Sequence, residues 1–173
     1  YAAPSYWNVL NPPENQEKWP VTNVSLNDAK AFAAWRSKRD KQKYRLPNEE
    51  EWEYASRNGA QGTLYPWGNE WKDGYANVDA NSLKSVGSHP QGASLRWGVM
   101  DLIGNAWEWT STKAGPYPGN TLLNIPPDRY VIRGGAFSDH SRGPDAIMAT
   151  RRSYISPSSK ESTVGFRLVR DEP

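Results

Sequence analysis

Glu108 is the carboxylate of this chain with the most suggestive surroundings. It stands in Leu102-Ile-Gly-Asn-Ala-Trp-Glu-Trp-Thr110, where Gly104-Asn105 permits a sharp turn with positive φ. Trp107 and Trp109 fall on one face at strand spacing, and Glu108 falls on the other. A carboxylate beside turn carbonyls suits a hard cation, because calcium takes carboxylate and backbone oxygens. The same group also suits an ion pair with one of the chain's arginines. A second oxygen-rich stretch runs through Asn77, Asp79 and Asn81. Alternating oxygen side chains can wrap a cation, although the glycine and glutamate of an EF-hand loop are missing. Asx-rich turns also form without a metal.

Other chemistry is sparse. Cysteine is absent, which excludes disulfides, thiolate zinc sites, iron–sulfur clusters and a cysteine nucleophile. His89 precedes Pro90 and His140 follows Ser138-Asp139; neither has metal-ligand spacing or a triad context, and both read as surface residues. Glu49, Glu50 and Glu51 can serve as acids and bases, but at the start of a helix they interact favourably with its dipole. Gly134-Gly135 lacks the spaced third glycine and the helix of a phosphate-binding loop. The 21 basic and 19 acidic residues are intermixed, for a net charge of +2, so there is no footprint for nucleic acid. No apolar run approaches the ~20 residues of a membrane span.

The elements that must position these groups are announced in a few places. Ser25-Leu-Asn-Asp28 has the form of a capping box and predicts a helix over 26–38. Ala29, Phe32, Ala33 and Arg36 share one face of it. Asn48 precedes three glutamates and predicts a second helix over 49–58, with Trp52, Tyr54 and Ala55 on its buried face and Asn58-Gly59 as a left-handed stop. Beyond Gly59 the helical period disappears. Strands are predicted at Tyr130–Arg133 and Gly165–Val169, while 142–157 is polar and without a clear period. With 14 Gly, 14 Pro and 9 Trp among 173 residues, the chain is punctuated by turns yet rich in aromatics, which argues against both a long-helix bundle and disorder. The reading is one α+β domain at 20–173, preceded by an aromatic and proline-rich arm at 1–19.

Taken in order, the motifs resemble a known family. Pro20-Val-Thr-Asn23, Arg45-Leu-Pro-Asn-Glu-Glu-Glu-Trp-Glu-Tyr-Ala55, Tyr65-Pro-Trp-Gly-Asn69, Ala76-Asn77, Val86-Gly87, Gly98 to Thr110, Val131-Ile-Arg-Gly-Gly135 and Gly165-Phe-Arg167 are similar to those of the formylglycine-generating, or sulfatase-modifying factor, family. The resemblance implies a decorated C-type lectin-like fold with a small twisted antiparallel sheet, two helices and much irregular structure. It also implies that the family's N-terminal strands are absent here. Calcium is the ion implied, with ligands mapping to Ile103, Gly104, Ala106 and Glu108 at one site and to Asn77, Val78 and Asp79 at another.

The departures bear on function. In the oxygen-dependent members, a cysteine pair after the Gly-Gly strand binds copper and oxidises a substrate cysteine. The corresponding positions here are Asp139 and Pro144, which are not soft thiolate ligands, so copper is not expected. The resemblance then implies a non-catalytic binding domain with a protein partner, such as the accessory domain of a bacterial signalling protein or a subunit of a complex. The expected setting is extracytoplasmic or at the cell surface of a bacterium. The candidate surface runs from Phe137 to Ser162 and offers Asp139, His140, Arg142, Arg151, Arg152 and Tyr154 as anchors; pairing of these arginines with local acids is the competing reading. Two alternatives stay open. One is a hypervariable display protein of a diversity-generating retroelement, although no asparagine lies between Gly135 and Gly165. The other is a metal-dependent oxidoreductase of a different type, for which this chain offers no facial triad.

Overall fold

Two capped helices open the domain. The computed structural model describes residues 4, 11–120, 125–142 and 146–172. Helix α1 (Leu26–Asp40) begins at Ser25, whose side chain accepts from Asp28 N while Asp28 accepts from the Ser25 backbone. It ends on Lys41 in the left-handed region. Helix α2 (Glu49–Ser56) repeats the arrangement with Asn48 and Glu51. Its stop is the expected left-handed pair, Asn58 at φ 57° and Gly59 at φ 67°. The predicted buried face of α2 needs correction. Trp52 is buried, but Tyr54 is 56% exposed, and the other buried positions are Glu49 and Ser56.

The strands are β1 (Tyr44–Arg45), β2 (Trp107–Lys113), β3 (Tyr130–Arg133), β4 (Arg152–Ile155), β5 (Val164–Gly165) and β6 (Val169–Arg170). They form a four-stranded sheet in the order β4-β3-β2-β5 and a two-stranded sheet β1-β6. The larger sheet is mixed, because β5 runs parallel to β2. The predicted strand 165–169 is therefore two short strands serving different sheets, with Phe166, Arg167 and Leu168 crossing between them. Strand β4 lies inside the stretch that shows no period. Its register, Arg133 opposite Arg152 and Val131 opposite Tyr154, places charged and polar side chains on a face where apolar alternation is absent.

Register explains the two faces of the sheet. Trp109 pairs with Ile132, and Trp107 with Val164. This face packs with Leu26 and Ala29 of α1 and with Leu46 as one apolar core. The alternate residues Glu108, Thr110, Arg133 and Arg152 face α2. A second apolar cluster, built around Tyr65, Trp67, Ile103 and Ile147, holds the long loops. There the Tyr65 and Trp67 rings stack at 5.2 Å. Of the arm, residues 1–3 and 5–10, Trp7 included, lie outside the described residues, whereas Val86 N donates to Lys18 O at 2.8 Å.

Candidate functional site

The turn at 104–109 is drawn tight by backbone contacts. Gly104 has φ 77°, and a Cβ there would sit 2.5 Å from the Asn77 carbonyl oxygen. Only glycine fits at that distance. Asn105 N donates to the same carbonyl at 2.8 Å, and Gly104 N donates to Gly134 O at 2.9 Å. The turn thus joins the loop of Asn77 to the Gly134-Gly135 segment, and all three regions named by the sequence meet here.

Glu108 is committed to protein partners. Arg167 grips both of its oxygens, each at 2.6 Å, and Trp52 Nε1 donates to Oε2 at 2.7 Å. The geometry is bidentate and partly buried, the stronger kind of charge-assisted pair. Arg167 also donates to the carbonyls of Met100 and Asp101, each at 3.1 Å. The guanidinium holds the carboxylate that a calcium ion at Ile103, Gly104 and Ala106 would require. Arg167 and Trp52 thus compete with any cation for the Glu108 oxygens.

The Asn77 loop differs. Asn77 Nδ2 donates to Ser82 O and Asn105 Oδ1, both at 3.0 Å. Its Oδ1 is buried with no hydrogen-bond partner. Asp79, at φ 50°, points its carboxylate elsewhere. Oδ1 lies 2.9 Å from His140 Nδ1, while Oδ2 accepts from Ser141 N at 2.9 Å and Ser141 Oγ at 2.6 Å. The Ser141 hydroxyl, then His140 and the Ser141 amide, hold the Asp79 carboxyl down at about 2. Backbone bonds Asp79 N to Asp139 O and Ala80 N to Phe137 O complete this clamp. Among the described residues, no group of three or more His, Asp or Glu side chains forms a metal cluster.

The segment after Gly134-Gly135 is a closed turn. Asp139 Oδ2 accepts from Ala136 N at 2.7 Å, and Oδ1 lies 3.4 Å from Arg151 Nη2. Arg151 in turn lies over the Trp107 ring at 5.5 Å. Pro144, the other position of interest, lies outside the described residues.

The anchors expected between Phe137 and Ser162 divide into separate environments. Arg142 pairs with Asp73 at 3.1 Å on the open surface. Tyr154 is half-buried on β4. Arg152 turns inward, its Nε 2.8 Å from Glu49 and its side chain 15% exposed. Arg133, fully buried, bridges Glu49 and Glu53 at 2.8 Å each. Sequence reasoning misses this ionic layer, because its signal there, the first-turn glutamates of α2, equally suits the helix dipole.

Phe137 and Ser162 share a cleft of about 540 Å³ with Trp19, Asn23, Asn81 and Leu83. Among the described residues, its only charged lining group is Glu17. A concave site with aromatic walls and uncharged amide and hydroxyl groups suits a neutral polar ligand or a peptide segment.

Comparison with known proteins places these features. The model of the sulfatase-modifying factor enzyme 1-like domain matches residues 3–172. The cattle (Bos taurus) protein "Inactive C-alpha-formylglycine-generating enzyme 2" is 36% identical over 165 residues, covering 88% of this chain and 50% of the relative. Hercynine oxygenase of Mycobacterium tuberculosis is 34% identical over 168 residues, covering 88% and 37%. The solved structure of PvdO from Pseudomonas aeruginosa superposes with a TM-score of 0.70 at 29% identity, covering 90% of this chain and 63% of that one. The chain spans about half the length of the first of these relatives or less.

Proposed function

Since the chain belongs to the family of sulfatase-modifying factor enzyme 1-like domains, we propose that it is a non-catalytic member that binds a protein ligand. The observation that carries this reading is Asp139. In the catalytic members a thiol is expected there, and this carboxylate instead closes a turn on Ala136 N and pairs with Arg151. A hard carboxylate is a poor ligand for cuprous copper and performs no disulfide exchange. The sequence also contains no cysteine at any other position.

The ligand site we propose is the cleft of Phe137 and Ser162, bordered by the clamp of Asp79 with His140 and Ser141. Its aromatic walls and varied polar groups suit recognition of an exposed segment on another protein. Incubation with a cysteine-containing sulfatase peptide and cuprous copper is expected to leave the peptide mass unchanged. Appearance of the aldehyde would overturn the non-catalytic reading. For the site, Phe137→Asp is expected to abolish partner capture from native extract without unfolding the protein. Undiminished capture by the folded variant would exclude this cleft.

Calcium enters this reading at Asn77. The support is the buried Oδ1 without a donor, since an unsatisfied buried oxygen costs about 1–3 kcal/mol and a hard cation accepts such an oxygen as ligand. Calcium is expected to raise the Tm of the wild type and to leave that of Asn77→Ala unchanged. An equal rise in both would place the ion elsewhere.

A further inference from the structure

A second cleft, of about 610 Å³, opens between α2 and the loop that follows β2. None of its lining residues lines the Phe137 cleft. Most of its charges are already neutralised within the fold. Glu49 meets Arg133 and Arg152, Glu53 meets Arg57 and Arg133, and Lys113 meets Asp128. Glu50 is the exception: it is exposed and has no ion-pair partner among the described residues.

The cleft carries aromatic rings that the core does not use. Tyr54 is 56% exposed, Tyr117 47% and the neighbouring Trp97 42%. Their positions are nonetheless built. Tyr54 and Trp97 lie 5.4 Å apart at 38°, directly over Gly59, where a Cβ would approach both rings to 3.0–3.1 Å. Tyr117 is held by its hydroxyl, which donates to Glu49 at 2.9 Å, and by Arg152 at 4.4 Å from its ring. Trp97 Nε1 and the Tyr54 hydroxyl have no hydrogen-bond partner among the described residues. Fixed rings with free donors present an apolar body and a polar tip to an incoming chain.

We propose that the Tyr54–Trp97–Tyr117 face docks a proline-rich segment of another protein in the polyproline II conformation, with a basic residue of that segment meeting Glu50. Such a segment has no internal hydrogen bonds, so its carbonyls are open to the Trp97 N–H and the Tyr54 hydroxyl. Its pyrrolidine rings pack on fixed aromatic faces, and its stiffness keeps the ordering cost low. Two exposed charges at this face lack an ion-pair partner among the described residues: Glu50, and Arg96, whose guanidinium lies 5.1 Å from the Trp97 ring centroid. Glu50 attracts the basic residue of the segment, and Arg96 disfavours a second one beside Trp97. The proposal is independent of the Phe137 cleft.

Isothermal titration calorimetry of the intact protein tests it. The probes are an array of peptides of about ten residues with proline-rich sequences and one arginine at varied positions, each with a glycine-for-proline counterpart. At least one proline-rich member is expected to bind with Kd of about 10–100 μM, and its glycine counterpart not to bind. Trp97→Ala and Tyr54→Ala are expected to weaken that binding at least about tenfold. Glu50→Gln is expected to abolish only the preference for arginine over glutamate. The unfolding midpoints of the three exposed variants serve as the control for folding. Absence of saturation by every peptide at about 1 mM would overturn the proposal. So would binding that survives both aromatic substitutions, or saturation by an oligosaccharide where the peptides fail.

Discussion

At the level of single residues, the sheet face beneath α2 is held by ions rather than by apolar contacts. Arg133 is fully buried and meets Glu49, Glu53 and the Ala149 carbonyl, each at 2.8 Å. Removing Arg133 leaves a cavity, deprives the Ala149 carbonyl of its donor and leaves each glutamate with one arginine, Arg152 or Arg57, instead of two, which together cost about 2–5 kcal/mol. Arg133→Ala is accordingly expected to lose about that much in urea unfolding, and Arg133→Met less, because Met restores packing. Asp79 offers a pH-dependent counterpart. Its folded carboxyl is depressed to about 2 by Ser141 and His140, below the ordinary value of an aspartate. Its contribution to stability is therefore complete above the ordinary aspartate range and is lost as pH falls through about 2. NMR titration of the Asp79 carboxyl is expected to give a midpoint near 2, rising toward the ordinary value in Ser141→Ala.

At the level of elements, the helices are defined locally and the strands are not. Both helices carry complete capping boxes, and such a cap contributes typically ~1 kcal/mol. Asn48→Ala is expected to cost about 0.5–2 kcal/mol, measured by denaturant unfolding. Its loss frees Glu51 N, to which the Asn48 side chain is bonded at 2.7 Å. Strands β5 and β6 are two residues each, too short to show a period. The Gly-Phe-Arg sequence between the sheets reads as one strand, yet its arginine spans back to Glu108.

For the whole molecule, long irregular loops are stable because they carry their own apolar cluster. Trp67 is 6% exposed, stacks on Tyr65, and meets Trp71 and Tyr75 edge-on. It lies in no helix or strand. Truncating a buried Trp costs about 3–5 kcal/mol, so Trp67→Ala is expected to destabilise the protein by roughly that amount despite its position in a loop. A loss below about 0.5 kcal/mol would mean that the loops fold independently of this cluster.

Cap chemistry, the two Trp at strand spacing, the turn glycines and the ordered motifs were legible in the sequence, because each depends on neighbours within a few residues. They specified α1, α2, the opposed faces of Trp109 and Glu108, and the family resemblance that the 3–172 match bears out. The parallel pairing of β5, the strand within 142–157 and the exposure of Tyr54 were not legible. Nor was the fate of the carboxylates. Nothing near Glu108 in sequence distinguishes a cation from Arg167, 59 residues away, and nothing near Arg152 reveals that it turns inward to Glu49, 103 residues back. Long-range charge pairing is set by which strands become neighbours. The tertiary structure therefore decided which acids are occupied and which, like Glu50, stay exposed without an ion pair among the described residues.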